Sequence, residues 1–231
     1  MDWYKTTPKA LYIEEKKELL QAFTASLLLI TISELGDKTF FIAVILSMKH
    51  NHRTVFSSVL AALAVMTILS VLLGKAVSLL PKTYTHYGAI ALFLIFGVKL
   101  IIDAIRMAPA AVEEVIKEAE ETVEEQDHSV AVPFITNISN RYPEVGIWIQ
   151  AFVMTFLAEW GDRTQISTIT LAAAQDPLFV TLGAIVGHGI CTAIAVVGGK
   201  LVAGHISERL ITGIGGVLFI IFGLTSYLQG V

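Results

Sequence analysis

Ser33-Glu34-Leu35-Gly36-Asp37-Lys38-Thr39 and Ala158-Glu159-Trp160-Gly161-Asp162-Arg163-Thr164 decide how this chain is read. Both contain Glu-x-Gly-Asp-(Lys/Arg)-Thr, and both lie inside long apolar runs. Each sets two carboxylates and one cation where the flanking residues, Leu27 to Ile32 and Phe40 to Leu46 around the first copy, ask for lipid or dry protein. A charge at bilayer depth costs several kcal/mol unless it is paired, faces water or holds an ion. Two matching placements point to one site built from both.

The runs around the motifs fix the class. The chain has 231 residues, 55% hydrophobic and 16% charged. Soluble domains carry roughly 25% charged residues, so the composition is that of an all-α polytopic membrane protein. Six apolar segments are long enough to cross a bilayer as helices: 19–48, 55–80, 84–107, 145–174, 178–203 and 207–228. No period-2 alternation suggests a barrel, and lipid permits few other backbones. Residues 1–18 read as an amphipathic lead-in without a cleaved signal, and the first span is expected to act as an anchor.

The motifs stand 125 positions apart, and the same offset pairs Gly74-Lys75 with Gly199-Lys200 and Gly88 with Gly213. This is an internal duplication. It predicts one three-helix repeat over 19–107 and a second over 144–231. Three is odd, so the second repeat enters from the opposite side. The expected architecture is a 3+3 inverted-topology repeat, a design of secondary transporters that place their ion site between the repeats. The connector, 108–143, holds eight of the 20 acidic residues between Glu113 and Asp127. Val112, Val115, Ile116, Ala119 and Val123 recur at helical spacing, so it reads as an amphipathic helix with an acidic outer face, serving as a solvated tether.

The motif residues suit a hard cation. Glu34 and Asp37, and likewise Glu159 and Asp162, are three apart and would share a helical face. Lys38 and Arg163 each follow their own glutamate by four, the spacing of a local ion pair. Four carboxylates facing one cavity, offset by two cations, leave a formal charge of about −2, which suits one divalent ion or the protons that replace it. Oxygen ligands select Ca²⁺ or Mn²⁺. Thr39, Thr164, Ser33 and Gln165 offer neutral oxygens. Gly36 and Gly161 mark the expected break in spans about 30 residues long. His188 reads as a hydrogen-bonded core histidine rather than a ligand. Lone Cys191 excludes an intrachain disulfide and reads as a small buried residue. Gly183-x-x-x-Gly187 reads as a close helix contact. There is no basic bias to suggest nucleic acid.

The doubled motif resembles that of the cation/proton antiporters of the Ca²⁺/Mn²⁺ type, and the resemblance spans most of residues 20–229. It implies exchange of Mn²⁺ and/or Ca²⁺ for protons, with Glu34, Asp37, Glu159 and Asp162 coordinating the ion as cargo and no resident cofactor. It also implies a cytoplasmic connector, which Lys and Arg, nearly balanced between the two sides, do not decide by themselves. The short N-terminus fits a prokaryotic plasma membrane. Two other classes remain open on sequence grounds. A cation channel would conduct without regard to a pH gradient. A metal-dependent intramembrane hydrolase would need water-activating groups and an asymmetric site.

Overall fold

The computed structural model describes residues 8–107, 111–129, 141–203 and 207–229, and every regular element among them is helical. The first half gives α1 (Pro8–Glu34), α2 (Lys38–Lys49), α3 (His52–Val77) and α4 (Lys82–Arg106). The connector gives α5 (Ala111–Ser129), and the second half α6 (Pro143–Ala158), α7 (Arg163–Ala174), α8 (Pro177–Ala203) and α9 (Glu208–Gln229). Of the lead-in, residues 1–7 lie outside the described residues, and the rest continues into α1 without a break.

The 125-residue offset reappears in how the helices begin and end. Both α2 and α7 have twelve residues. Asp37 and Asp162 stand at their N-caps, and the backbone N–H groups of His50 and Gln175 close them by donating to Leu46 and Leu171. The next helix is capped in each half by the side chain at the matching position. The Asn51 side chain accepts from the Arg53 N–H, and Asp176 accepts from Leu178 and Phe179. A cap oxygen satisfies N–H groups that the first turn leaves unpaired.

Among the described residues four helices are individually long and apolar enough to cross a membrane: α3, α4, α8 and α9, within the bounds His52–Val77, Thr83–Arg106, Pro177–Gly198 and Arg209–Leu228. Residues 16–34 and 38–49 pass together as a pair bent by 66°. Helix α6 is apolar but has only 16 residues. At 1.5 Å per residue it reaches about 24 Å, short of a ~30 Å hydrocarbon core. Its continuation α7 is rich in hydroxyl residues, among them Ser167, Thr168 and Thr170. Of the six spans expected from the sequence, the first and fourth with breaks at Gly36 and Gly161, the described residues show four unbroken helices, one bent pair and one short apolar helix. Exposed Leu72, Leu73, Ile95, Ile105, Val197 and Leu228 give the outer surface an apolar character suited to lipid.

The halves interlock. Helix α1 lies along α8, and α6 lies along α3, so each motif-bearing helix rests on the long helix of the other half. The first contact is close because Gly183 and Gly187 face α1. A Cβ at Gly183 would collide with the Phe23 carbonyl oxygen and Ser26 Oγ, and one at Gly187 would come within 3.2 Å of Ile30. The Gly-x-x-x-Gly expectation holds. Helices α4 and α9 form a pair of their own, with Gly97 and Gly216 meeting backbone to backbone and Phe93 edge-on to Phe219.

Helix α5 differs from expectation in one respect. It is amphipathic, but it does not float as a tether: Ala119 and Val123 are fully enclosed against α2, with Val115 and Ile116 beside them. Glu118, Glu120, Glu121 and Glu124 lie outside that buried strip.

Candidate metal centre

The motifs form where two helices break. Gly36 has φ +78° and Gly161 φ +84°. This left-handed region costs an L-residue with a side chain roughly 1–2 kcal/mol, so the glycine fixes where the chain turns. The break is where the sequence placed it, but its consequence differs from the sequence reading. Glu34 and Asp37 do not share a helical face: Glu34 is the last residue of α1, and Asp37 is the N-cap of α2. In the second half Glu159 is the C-cap of α6 and Asp162 the N-cap of α7. Each glutamate thus closes one helix, and each aspartate opens the next at its electropositive end.

The break also re-routes the cations. Spacing of four brings side chains together only on a continuous helix, and neither cation follows that rule. Arg163 Nη2 lies 3.4 Å from Asp37 Oδ1 in the other half and donates to the Ser33 carbonyl oxygen at 3.3 Å. Among the described residues Lys38 forms no ion pair with Glu34. The two aspartates are consequently unlike. Asp162 accepts from the Thr164 and Gln165 N–H groups at 2.9 and 2.8 Å and from the Thr164 hydroxyl at 2.8 Å. Asp37 makes no such cap bond and takes Arg163 instead.

The glutamates keep the symmetry. Glu34 Oε2 accepts from the Thr39 hydroxyl at 3.3 Å, and Glu159 Oε2 from the Thr164 hydroxyl at 3.5 Å. Both glutamates are 2% exposed. One carboxylate oxygen from each of Glu34, Glu159 and Asp162 lies within 4.8 Å of the others. Asp37, held by Arg163, stands outside that group. Gln165 is spent on the fold: its Oε1 accepts from the Gly161 N–H at 2.7 Å, bracing the turn.

Carboxylates this close and this deeply buried are stable only with a cation or protons among them. The clustered carboxylates offer oxygen, with hydroxyls beside them and the two glutamates at helix C-terminal ends, and that suits a hard divalent ion. A cavity with room for about one water borders Glu34, Thr39, Leu63 and Cys191.

A buried histidine stands beside Glu34. His188 is 4% exposed, and its Nδ1 lies 3.8 Å from Glu34 Oε1. The hydrogen bond expected of a core histidine is missing at Nδ1: among the described residues neither Nδ1 nor that carboxylate oxygen has a hydrogen-bond partner. Cys191 is buried as expected, with Sγ 3.3 Å from the Thr31 carbonyl oxygen.

Broken helices from two halves of a polytopic membrane protein, bringing buried carboxylates together, define an ion-coupled transporter class. Comparison with known proteins narrows the class. The model of the family described as divalent cation/proton antiporter GDT1 matches residues 22–108 and 147–231, and the chain belongs to that family. The GDT1-like protein sll0615 of Synechocystis is 50% identical over 209 residues, covering 90% of this chain and 98% of the relative. GDT1-like protein 5 of Arabidopsis thaliana is 41% identical over 92% of this chain and 98% of its own length. The divalent cation/proton antiporter GDT1 of Saccharomyces cerevisiae is 40% identical over 89% of this chain and 82% of its own. No solved structure matches.

Proposed function

We propose that the protein exchanges Mn²⁺ and/or Ca²⁺ for protons by alternating access, with the ion held between its two halves. The supporting observation is the meeting of Glu34, from one half, with Glu159 and Asp162, from the other. The membrane helices then amount to six, two of them broken at Gly36 and Gly161, arranged as a 3+3 inverted repeat. The membrane is a prokaryotic plasma membrane with α5 on its cytoplasmic side.

Asp37 completes the set of four carboxylates when Arg163 releases it. The two motif loops are in unlike surroundings: Gly36 is buried and Gly161 exposed. Leu100, Ile211, Thr212 and Gly215 border the covered loop together with Arg163. The Arg163–Asp37 pair closes that side. The offset of 125 turns this pair into Lys38–Asp162, the pair that closes the other side in the opposite state.

This pairing predicts a modest, directional effect. The two side chains are 29% and 28% exposed, so the ion pair is worth about 1 kcal/mol or less. In a Cys191→Ala background, Arg163→Gln is expected to raise alkylation of a cysteine placed at Leu35 a few-fold. Unchanged alkylation removes the pair as a closure.

Flux tests the function. In proteoliposomes an outward proton gradient is expected to drive Mn²⁺ or Ca²⁺ inward, with protons leaving in step. Cation flux indifferent to the gradient identifies a channel instead.

A further inference from the structure

Helix α8 brings to Glu34 a group that the duplication does not account for. The position 125 residues before His188 is Leu63, so the first half has no matching histidine. Gly183 and Gly187 let α8 ride against α1, and this seats the imidazole beside the last turn of α1. There Glu34 divides its oxygens. Oε2 takes the Thr39 hydroxyl, while Oε1 and His188 Nδ1 face each other at 3.8 Å, too long for a hydrogen bond. Both atoms are enclosed and unpartnered, and so is Thr31 Oγ1, one turn earlier on α1. Buried polar atoms without partners are costly, and the contact of α1 with α8 holds three of them.

We propose that His188 Nδ1 is a nitrogen ligand to the divalent cation at Glu34 and weights the site toward Mn²⁺ against Ca²⁺. The inference rests on Glu34 being a cation ligand. Ca²⁺ takes oxygen ligands, six to eight of them, whereas imidazole belongs to the coordination chemistry of transition metals. A set made only of carboxylates and hydroxyls separates the two ions by size and ligand number alone. One neutral nitrogen, with its proton on Nε2, adds a preference that Ca²⁺ cannot satisfy. A histidine that merely shaped the Glu34 side chain would weaken both ions alike.

The test uses the full chain loaded with Mn²⁺ and pulsed electron paramagnetic resonance. The wild type is expected to show ¹⁴N modulation from a bound imidazole. His188→Asn, which offers an oxygen near the place of Nδ1, and His188→Leu, which copies Leu63, are expected to lose it. Mn²⁺ affinity in His188→Asn is expected to fall at least about tenfold while Ca²⁺ affinity changes little, so the Mn²⁺/Ca²⁺ ratio drops at least about tenfold. Bound Mn²⁺ without ¹⁴N modulation in the wild type overturns the inference, as does an unchanged ratio in His188→Asn; both leave the role of Glu34 standing. Wild-type protein that binds no Mn²⁺ overturns both. Should His188→Leu fail to fold, the wild-type spectrum and the asparagine variant decide.

Discussion

Glu34→Gln and Glu159→Gln are each expected to lower proton-driven cation uptake at least about 100-fold. The substitutions keep size and hydrogen bonding and remove one negative charge. Altering a group that only supports a metal ligand already costs about 10–100-fold in affinity, and removing the ligand itself costs more. Both glutamates are almost wholly enclosed, each holding the threonine hydroxyl of its own half. The two variants should therefore fail to the same degree, although they lie in different halves. Radiotracer uptake at saturating pH gradient reads this directly. A variant that keeps even a third of wild-type flux removes its glutamate from the ion's ligand set.

The second large effect is on pH. In the proposed site protons and a divalent ion compete for the same buried oxygens, so lowering pH is expected to weaken cation binding. Where the carboxyl groups are protonated, each proton displaced per ion changes the apparent dissociation constant about tenfold per pH unit, and two displaced protons about 100-fold. Calorimetric titration with Mn²⁺ in buffers of different ionisation enthalpy gives the number of protons released. The expected sign is release on binding, with affinity rising as pH rises. Affinity independent of pH over several units contradicts exchange.

How far these arguments were visible in the sequence depends on which physical rule was in force. Gly36 and Gly161 announced the breaks, because a glycine before a buried aspartate within an overlong apolar run has few other uses. Gly183 and Gly187 announced a close helix contact in the same way, though not that α1 makes it. The partner of Arg163 was hidden by the same breaks. Counting four residues back to Glu159 assumes an unbroken helix, and only the turned chain carries the guanidinium across to Asp37. Helical spacing of Val115, Ile116, Ala119 and Val123 revealed the form of α5 but not its seat, since periodicity says which face is apolar and not what covers it. The fourth expected span, 145–174, is apolar on average, and that average hides its division into a short α6 and a hydroxyl-rich α7. His188 is the one histidine deep in an apolar span, and a lone histidine there reads as a core residue until the fold sets it beside Glu34.

The asymmetry of the two aspartates carries a mechanical consequence. One caps its helix and the other is bound to an arginine of the opposite half, though the sequences around them are nearly the same. The proposed alternating access requires a second arrangement in which the two copies exchange these roles.

Counting bound ions puts the shared site at greatest risk. Mn²⁺ titrated into purified protein is expected to saturate at one ion per chain, and Glu34→Gln and Glu159→Gln alike are expected to abolish that one ion. Two ions per chain, each lost with only one of the substitutions, would mean that the halves carry separate sites and that no cation is held between them.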